Sequence, residues 1–131
     1  MNIKNKLWMF IVSFLFSLLF YRSVVFLRSG KVSLLRGITG LNIHHSHYGI
    51  LLLTIAVILL IFNIYPYLAI ALAGFGLGSV LDGAISSMFK SFTRAEEIMN
   101  YNNNLLPTLI LFIGIVAITF LVSKQKDLRN Q

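Results

Sequence analysis

Three histidines within four positions are the residues of this chain best suited to metal chemistry. His44, His45 and His47 are also its only histidines. On an α-helix, at about 100° per residue, His44 and His47 lie about 60° apart, close enough for two imidazoles to share one ion. His45 points about 160° away from His47 and joins the site only if the helix starts late. Neutral imidazole suits transition metals, so the cluster predicts a divalent ion, zinc or iron. The other interpretation is that interfacial histidines bond only headgroups and backbone.

Asp82 lies inside a long apolar segment, where an ionised group costs about 2.5–3.5 kcal/mol on insertion scales. It belongs to a stripe that repeats every four residues, on which small side chains allow close helix packing. The stripe comprises Gly74, Gly78, Asp82 and Ser86. The carboxylate therefore faces other helices and needs a buried partner. Two partners are open: an ion pair with Arg22, or the His44 and His47 pair with any metal that it binds.

Two further carboxylates, Glu96 and Glu97, lie in the polar segment 90–104, predicted to be a loop. Thr93 and Glu96 have the spacing of a capping box, which predicts a short interfacial helix inside this loop. The two glutamates are then either a solvated helix cap or a lid that supplies a further ligand or a base. With Asp82, they are the candidate catalytic groups.

The elements that must position these residues are membrane helices. Of 131 residues, 57% are hydrophobic and 11% are charged, and the mean hydropathy is +0.84. Soluble domains carry about 25% charged residues, so this composition excludes a soluble domain. The chain has no cysteine, which excludes disulfides, thiolate metal sites and cysteine nucleophiles. The run Gly-x-Gly-x-Gly lacks a preceding strand, so it predicts helix packing and not a nucleotide-binding loop.

Four segments are long enough to cross a bilayer, which takes about 20 apolar residues. They predict an all-α polytopic membrane protein, a single domain folded as a four-transmembrane-helix bundle. Pro107 falls in the first turn of the last segment, where a missing N–H costs little. The predicted spans are 7–27, 44–64, 67–89 and 105–122.

Four spans place both termini on one side of the cell membrane and the polar candidates on the other. Counting Lys and Arg gives five on each side, which does not decide the orientation. Lys4 and Lys6 precede a long apolar run, as in a retained signal anchor, and this favours cytoplasmic termini. The cations beside the termini are Lys4, Lys6, Lys124, Lys126 and Arg129; those on the other side are Arg28, Lys31, Arg36, Lys90 and Arg94.

The segment 28–42 alternates cations with apolar residues, which predicts an interfacial segment at headgroup level. Its cations and one from the next loop are candidates for binding anionic lipid headgroups. These candidates are Arg28, Lys31, Arg36 and Arg94. The expected partners are membrane lipids, and a second copy or another membrane protein held through Gly74 and Gly78. No basic face points to nucleic acid.

Two motifs in consecutive spans carry a resemblance. Residues 43–49 read Ile-His-His-Ser-His-Tyr-Gly, and residues 74–83 read Gly-Phe-Gly-Leu-Gly-Ser-Val-Leu-Asp-Gly. In both, the chain resembles a family of uncharacterised small integral membrane proteins of bacteria and archaea. That family opens one span with Ile-His-His-x-His-x-Gly and ends the next with Gly-x-Gly-x-x-x-x-x-Asp-Glu. Gly83 stands where the pattern has Glu, which removes one carboxylate. The resemblance supports the choice of site and implies no reaction.

Three functions are open. The first is a metal-binding protein whose ligands are His44, His47 and Asp82, with His45 in reserve. Such a site leaves coordination positions open, where a metal-activated water could attack a lipid or phosphate ester. The second is a non-catalytic small subunit or lipid-binding component of a larger membrane assembly. The third, a proton or ion path through Asp82, His47 and Arg22, ranks last because the other half of the bundle is nearly featureless hydrocarbon.

Overall fold

Helices account for the regular structure of this chain. The computed structural model describes residues 3–27, 45–87 and 94–129, and no strand occurs within these ranges. The prediction of an all-α protein is confirmed for them. The helices are α1 (Ile3–Leu27), α2 (His45–Ile61), α3 (Pro66–Ser87), α4 (Arg94–Asn103) and α5 (Leu105–Arg129).

Three of these helices, α1, α3 and α5, are long and apolar enough to cross a membrane. The prediction of a helical membrane protein is confirmed at this level. Helix α2 is also apolar but has 17 residues, or about 26 Å at 1.5 Å per residue. This length lies at the short end of the range for a transmembrane helix, so the four-span count depends on α2. Helix α4 is the short helix predicted between the last two spans.

The connection between α2 and α3 is a tight helix cap built on Asn63. Asn63 adopts a left-handed conformation, with φ of 53°, which asparagine tolerates better than most residues. The amide of Ile64 donates to the carbonyl of Leu59 over 2.9 Å, and the amide of Asn63 to that of Leu60 over 3.2 Å. These are the two bonds of a Schellman motif. Pro66 then opens α3 at a position where no N–H is needed. Helix α2 therefore ends a few residues before the predicted boundary at 64.

Helix α3 packs along α1 through the predicted glycine stripe. A Cβ atom at Gly74 would lie 2.5 Å from the carbonyl oxygen of Phe10, and one at Gly78 would lie 2.8 Å from that of Phe14. Only glycine allows the two backbones to approach this closely. Within the described residues, α1 of the same chain therefore covers this face of α3.

The opposite side of α3 packs against α2. A Cβ atom at Gly49 would lie 2.7 Å from the carbonyl oxygen of Gly76, so the two helices cross in near-contact of their backbones. Gly49 and Ala56 are the buried residues of α2. Seven residues apart, they share one face of the helix, and this face fixes the rotation of α2 about its axis.

Helix α5 meets the other helices over a small part of its surface. Its main anchor is Phe112, which stacks on Phe14 of α1 with ring centroids 4.3 Å apart, beside Leu18. Pro107 lies in the first turn of α5, as predicted. Further along, a Cβ atom at Gly114 would meet no atom of the described structure within 4 Å. Much of α5 is therefore free to face lipid.

We expect Gly74→Ala to lower the free energy of unfolding by about 1–3 kcal/mol, because the added Cβ forces α1 and α3 apart. Gly114→Ala is the matched control. It makes the same change where a Cβ meets open space, and it gains up to about 1 kcal/mol of helix propensity. Unfolding in mixed micelles of detergent and sodium dodecyl sulfate measures both variants. Equal stabilities would contradict this packing.

Candidate functional site

Arg22 is the centre of a buried polar cluster near one end of the bundle. It lies on α1, five residues before the helix ends at Leu27, and its side chain is 10% exposed. Its Nη1 donates to the carbonyl oxygen of Tyr101 over 2.7 Å, and the guanidinium lies 5.4 Å from the centre of that ring. Tyr101 belongs to the last turn of α4, where the helix dipole favours a cation.

The other terminal nitrogen of Arg22 lies against three acceptors at once. Its Nη2 is 3.1 Å from Asp82 Oδ1, 3.0 Å from Asn104 Oδ1 and 3.0 Å from Thr108 Oγ1. Asp82 comes from α3, Asn104 from the junction of α4 and α5, and Thr108 from α5. One side chain of α1 therefore ties together all the other helices except α2. Of the two partners left open for Asp82, the ion pair with Arg22 is present, at 3.1 Å.

Asn104 serves the cluster with its side chain and helix α5 with its backbone. Its carbonyl oxygen accepts the Thr108 amide over 3.1 Å and the Thr108 hydroxyl over 2.7 Å, which starts the hydrogen bonding of α5. Asn104 is 1% exposed, whereas its neighbours Asn102 and Asn103 are exposed. Asn104, Thr108 and the Tyr101 carbonyl were not among the site residues predicted from the sequence. The available signal was the spacing of Asn104 and Thr108, two polar residues four positions apart at the start of an apolar span.

Of the two histidines in the described ranges, His45 is the one beside Asp82. Its Nε2 lies 3.3 Å from Asp82 Oδ2, and the two side chains are 12% and 0% exposed. The ring stacks on that of Tyr21, with centroids 4.6 Å apart. His47 lies on the exposed side of α2. The predicted phasing, with His47 inward and His45 in reserve, is therefore reversed.

The rotation of α2 explains this reversal. His45 lies four residues before Gly49, about 40° from it around the helix, and so on the face that packs against α3. His47 lies two residues further on, about 200° around the helix from His45. The backbone contact between Gly49 and Gly76 therefore turns His45 toward Asp82 and His47 away from it.

The contact between His45 and Asp82 has the spacing of two ligands of one metal ion. Asp82 Oδ2 is buried and has no hydrogen bond in the described part of the chain, so the 3.3 Å contact is not one. Two ligand atoms about 2.0–2.1 Å from a tetrahedral ion lie about 3.3–3.4 Å from each other. The spacing of Nε2 and Oδ2 fits that geometry.

Most of the other predicted site residues fall outside the described part of the chain. Within the described ranges, no group of three or more His, Cys, Asp or Glu side chains comes together as a metal site. Glu96 is half-buried on α4. The side chains of Glu97 and Arg94 lie outside the described part. The segment 28–42 lies wholly outside it, as do His44, Thr93, Lys90, Arg28, Lys31 and Arg36.

Comparison with protein-family models, with curated proteins and with solved structures gives no match to this chain. What the site does is therefore inferred from its geometry and its chemistry.

Proposed function

We propose that this chain is a four-span membrane protein that binds one divalent transition-metal ion, zinc or iron, between His45 and Asp82. The observation that carries the proposal is the pairing of His45 Nε2 with the buried Asp82 Oδ2 at 3.3 Å, outside hydrogen-bond geometry. Helix α2 carries His45 and packs along α3, so it serves as the fourth span despite its length.

The position of Arg22 supports this assignment. A carboxylate that serves only an ion pair tends to present both oxygens to the two parallel donors of a guanidinium. Here Arg22 approaches only Oδ1 of Asp82, and Oδ2 faces His45. Ligating carboxylates are commonly held by a hydrogen bond on their other oxygen. Arg22 therefore fits the role of the group that orients a metal ligand.

The third ligand in this proposal is His44, which lies outside the described residues and keeps its predicted role. The exposed His47 is not assigned as a ligand. Two histidines and one carboxylate leave at least one coordination position open for water. The chemistry that suits such an ion at a membrane face is hydrolysis of an ester in a lipid or its headgroup.

Cobalt substitution tests the proposal. We expect Co²⁺ added to the apoprotein to give the intense visible bands of a four-coordinate ion, and Asp82→Asn to abolish them because an amide is a poor metal ligand. Asp127→Asn is the matched control, since residue 127 lies near the far end of α5. Unchanged bands in Asp82→Asn, or loss of the bands in both variants, would contradict a site at Asp82.

The second candidate function is a non-catalytic small subunit of a membrane assembly. One observation favours it: Arg22 joins four parts of the same chain, as a purely structural clamp would. In that case Asp82 only pairs with Arg22. Metal content is then at background in the wild type and stays there when His45 is replaced.

A further inference from the structure

Two buried hydrogen-bond donors beside the proposed metal site have no acceptor in the described structure. They are Nε of Arg22 and Nδ2 of Asn104. The side chain of Arg22 is 10% exposed and Asn104 is 1% exposed, so bulk water does not satisfy either donor fully. A buried donor without an acceptor costs about 1–3 kcal/mol, and more when it is charged. Within residues 3–27, 45–87 and 94–129, no group supplies these two donors with an acceptor.

The two donors are close enough to serve one group. Arg22 Nη2 and Asn104 Oδ1 are 3.0 Å apart. Within each side chain, the terminal atoms of the planar group are about 2.3 Å apart by covalent geometry. Nε and Nδ2 are thus at most about 7.6 Å apart, by adding the two spans to the hydrogen bond. Two oxygens of one phosphate, each accepting one hydrogen bond of about 2.9 Å, can bridge that distance.

The net charge of the cluster also favours an anionic ligand once the proposed metal ion is bound, so the charge estimate rests on the proposed function. A divalent ion with Arg22 carries three positive charges, against one negative charge on Asp82. A surplus of two positive charges in a weakly hydrated part of a membrane protein is costly. An anionic oxygen ligand at Arg22 and Asn104 offsets it.

We propose that Arg22 Nε and Asn104 Nδ2 form a binding site for a phosphate group next to the metal ion. The substrate or ligand class is then a phosphate or a phosphate ester. Arg22 lies five residues, or about 7.5 Å, inside the end of α1, within reach of the headgroup layer for a long side chain. A lipid headgroup and free inorganic phosphate present the same oxygens.

The test compares Asn104→Asp with Asn103→Asp. The first variant replaces the Nδ2 donor by an acceptor and keeps an oxygen for Arg22, whereas the second adds the same charge at an exposed neighbour. Binding of phosphatidylglycerol, of an uncharged glycolipid and of inorganic phosphate is measured by native mass spectrometry in detergent. We expect phosphatidylglycerol binding to weaken about tenfold or more in Asn104→Asp and to change little in Asn103→Asp.

The ligand series identifies the source of the phosphate. If Asn104→Asp weakens only phosphatidylglycerol binding, the ligand is a lipid headgroup. If it weakens binding of inorganic phosphate in the same way, the ligand is the free ion. Wild-type protein that binds neither, or binds the glycolipid equally well, overturns the inference. So does equal weakening in the two variants. The binding measured for the wild-type protein can overturn the inference even if Asn104→Asp does not fold.

Metal content measured in the same samples separates this inference from the proposed function. If the protein contains metal but its phosphate binding does not depend on Asn104, the phosphate site is wrong and the proposed metal site stands. Asn104-dependent phosphate binding without metal removes the proposed function and leaves a phosphate site on Arg22. We expect Asn104→Asp to keep its metal, because Asn104 contacts Arg22 and neither proposed ligand in the described structure.

Discussion

Arg22→Met is expected to lower the free energy of unfolding by about 3–5 kcal/mol, the range for removing one partner of a buried ion pair. The loss exceeds that of one contact because Nη2 of Arg22 lies within hydrogen-bond distance of Asp82, Asn104 and Thr108. Without Arg22, the buried Asp82 carboxylate loses the guanidinium at its Oδ1, and the Tyr101 carbonyl loses the Arg22 donor. Unfolding by steric trapping in detergent micelles measures the change.

The double variant Arg22→Met/Asp82→Leu shows how much of the lost free energy of unfolding comes from leaving the Asp82 charge without Arg22. Replacing both members of a buried pair with apolar residues of similar volume is often neutral or stabilising. We therefore expect the double variant to recover most of the stability, and to bind no metal. If the single and double variants were equally unstable, burial of the unpaired Asp82 charge would not be the cause.

His45→Ala is expected to weaken zinc binding by about 100-fold or more, which corresponds to about 2.7 kcal/mol. The reason is the loss of the Nε2 of His45, which among the described histidines is the one placed at Asp82. His47→Ala is the matched control on the same helix, two residues away and exposed, and we expect its affinity to stay within about threefold of wild type. Competition with a chromophoric chelator measures both affinities.

The reverse ranking would restore the phasing predicted from the sequence, with His47 inward and His45 in reserve. Equal losses in the two variants would mean that α2 does not hold one fixed rotation around the Gly49 contact. The comparison therefore tests the position of α2 together with the identity of the ligand.

Helix ends could be predicted from local rules, and the Arg22–Asp82 pair from the cost of a charge inside an apolar segment. Pro66 can open a helix and cannot continue one, so the boundary between α2 and α3 is visible in the sequence. Arg22 and Asp82 are ionisable groups within apolar segments, at similar depths from the same membrane face. In such surroundings each needs a counter-charge, so their pairing was a foreseeable alternative.

Asn104 and the inward histidine could not be predicted in the same way. An asparagine at a helix start is usually a solvated cap. The burial of Asn104 depends on Arg22, 82 residues earlier in the chain. Periodicity gives the angles between histidines on α2 but not which of them faces α3. The close approach of Gly49 and Gly76 decides that, and such a contact between two helices has no local signal.

The most direct test of the central claim is the metal content of wild-type protein. The protein is purified from membranes without a histidine tag or a nickel column, and bound metal is measured by inductively coupled plasma mass spectrometry. The proposed function predicts about one equivalent of zinc or iron per chain, lost in the double variant His45→Ala/Asp82→Asn. Less than about a tenth of an equivalent in wild type, or unchanged metal in the double variant, would contradict it.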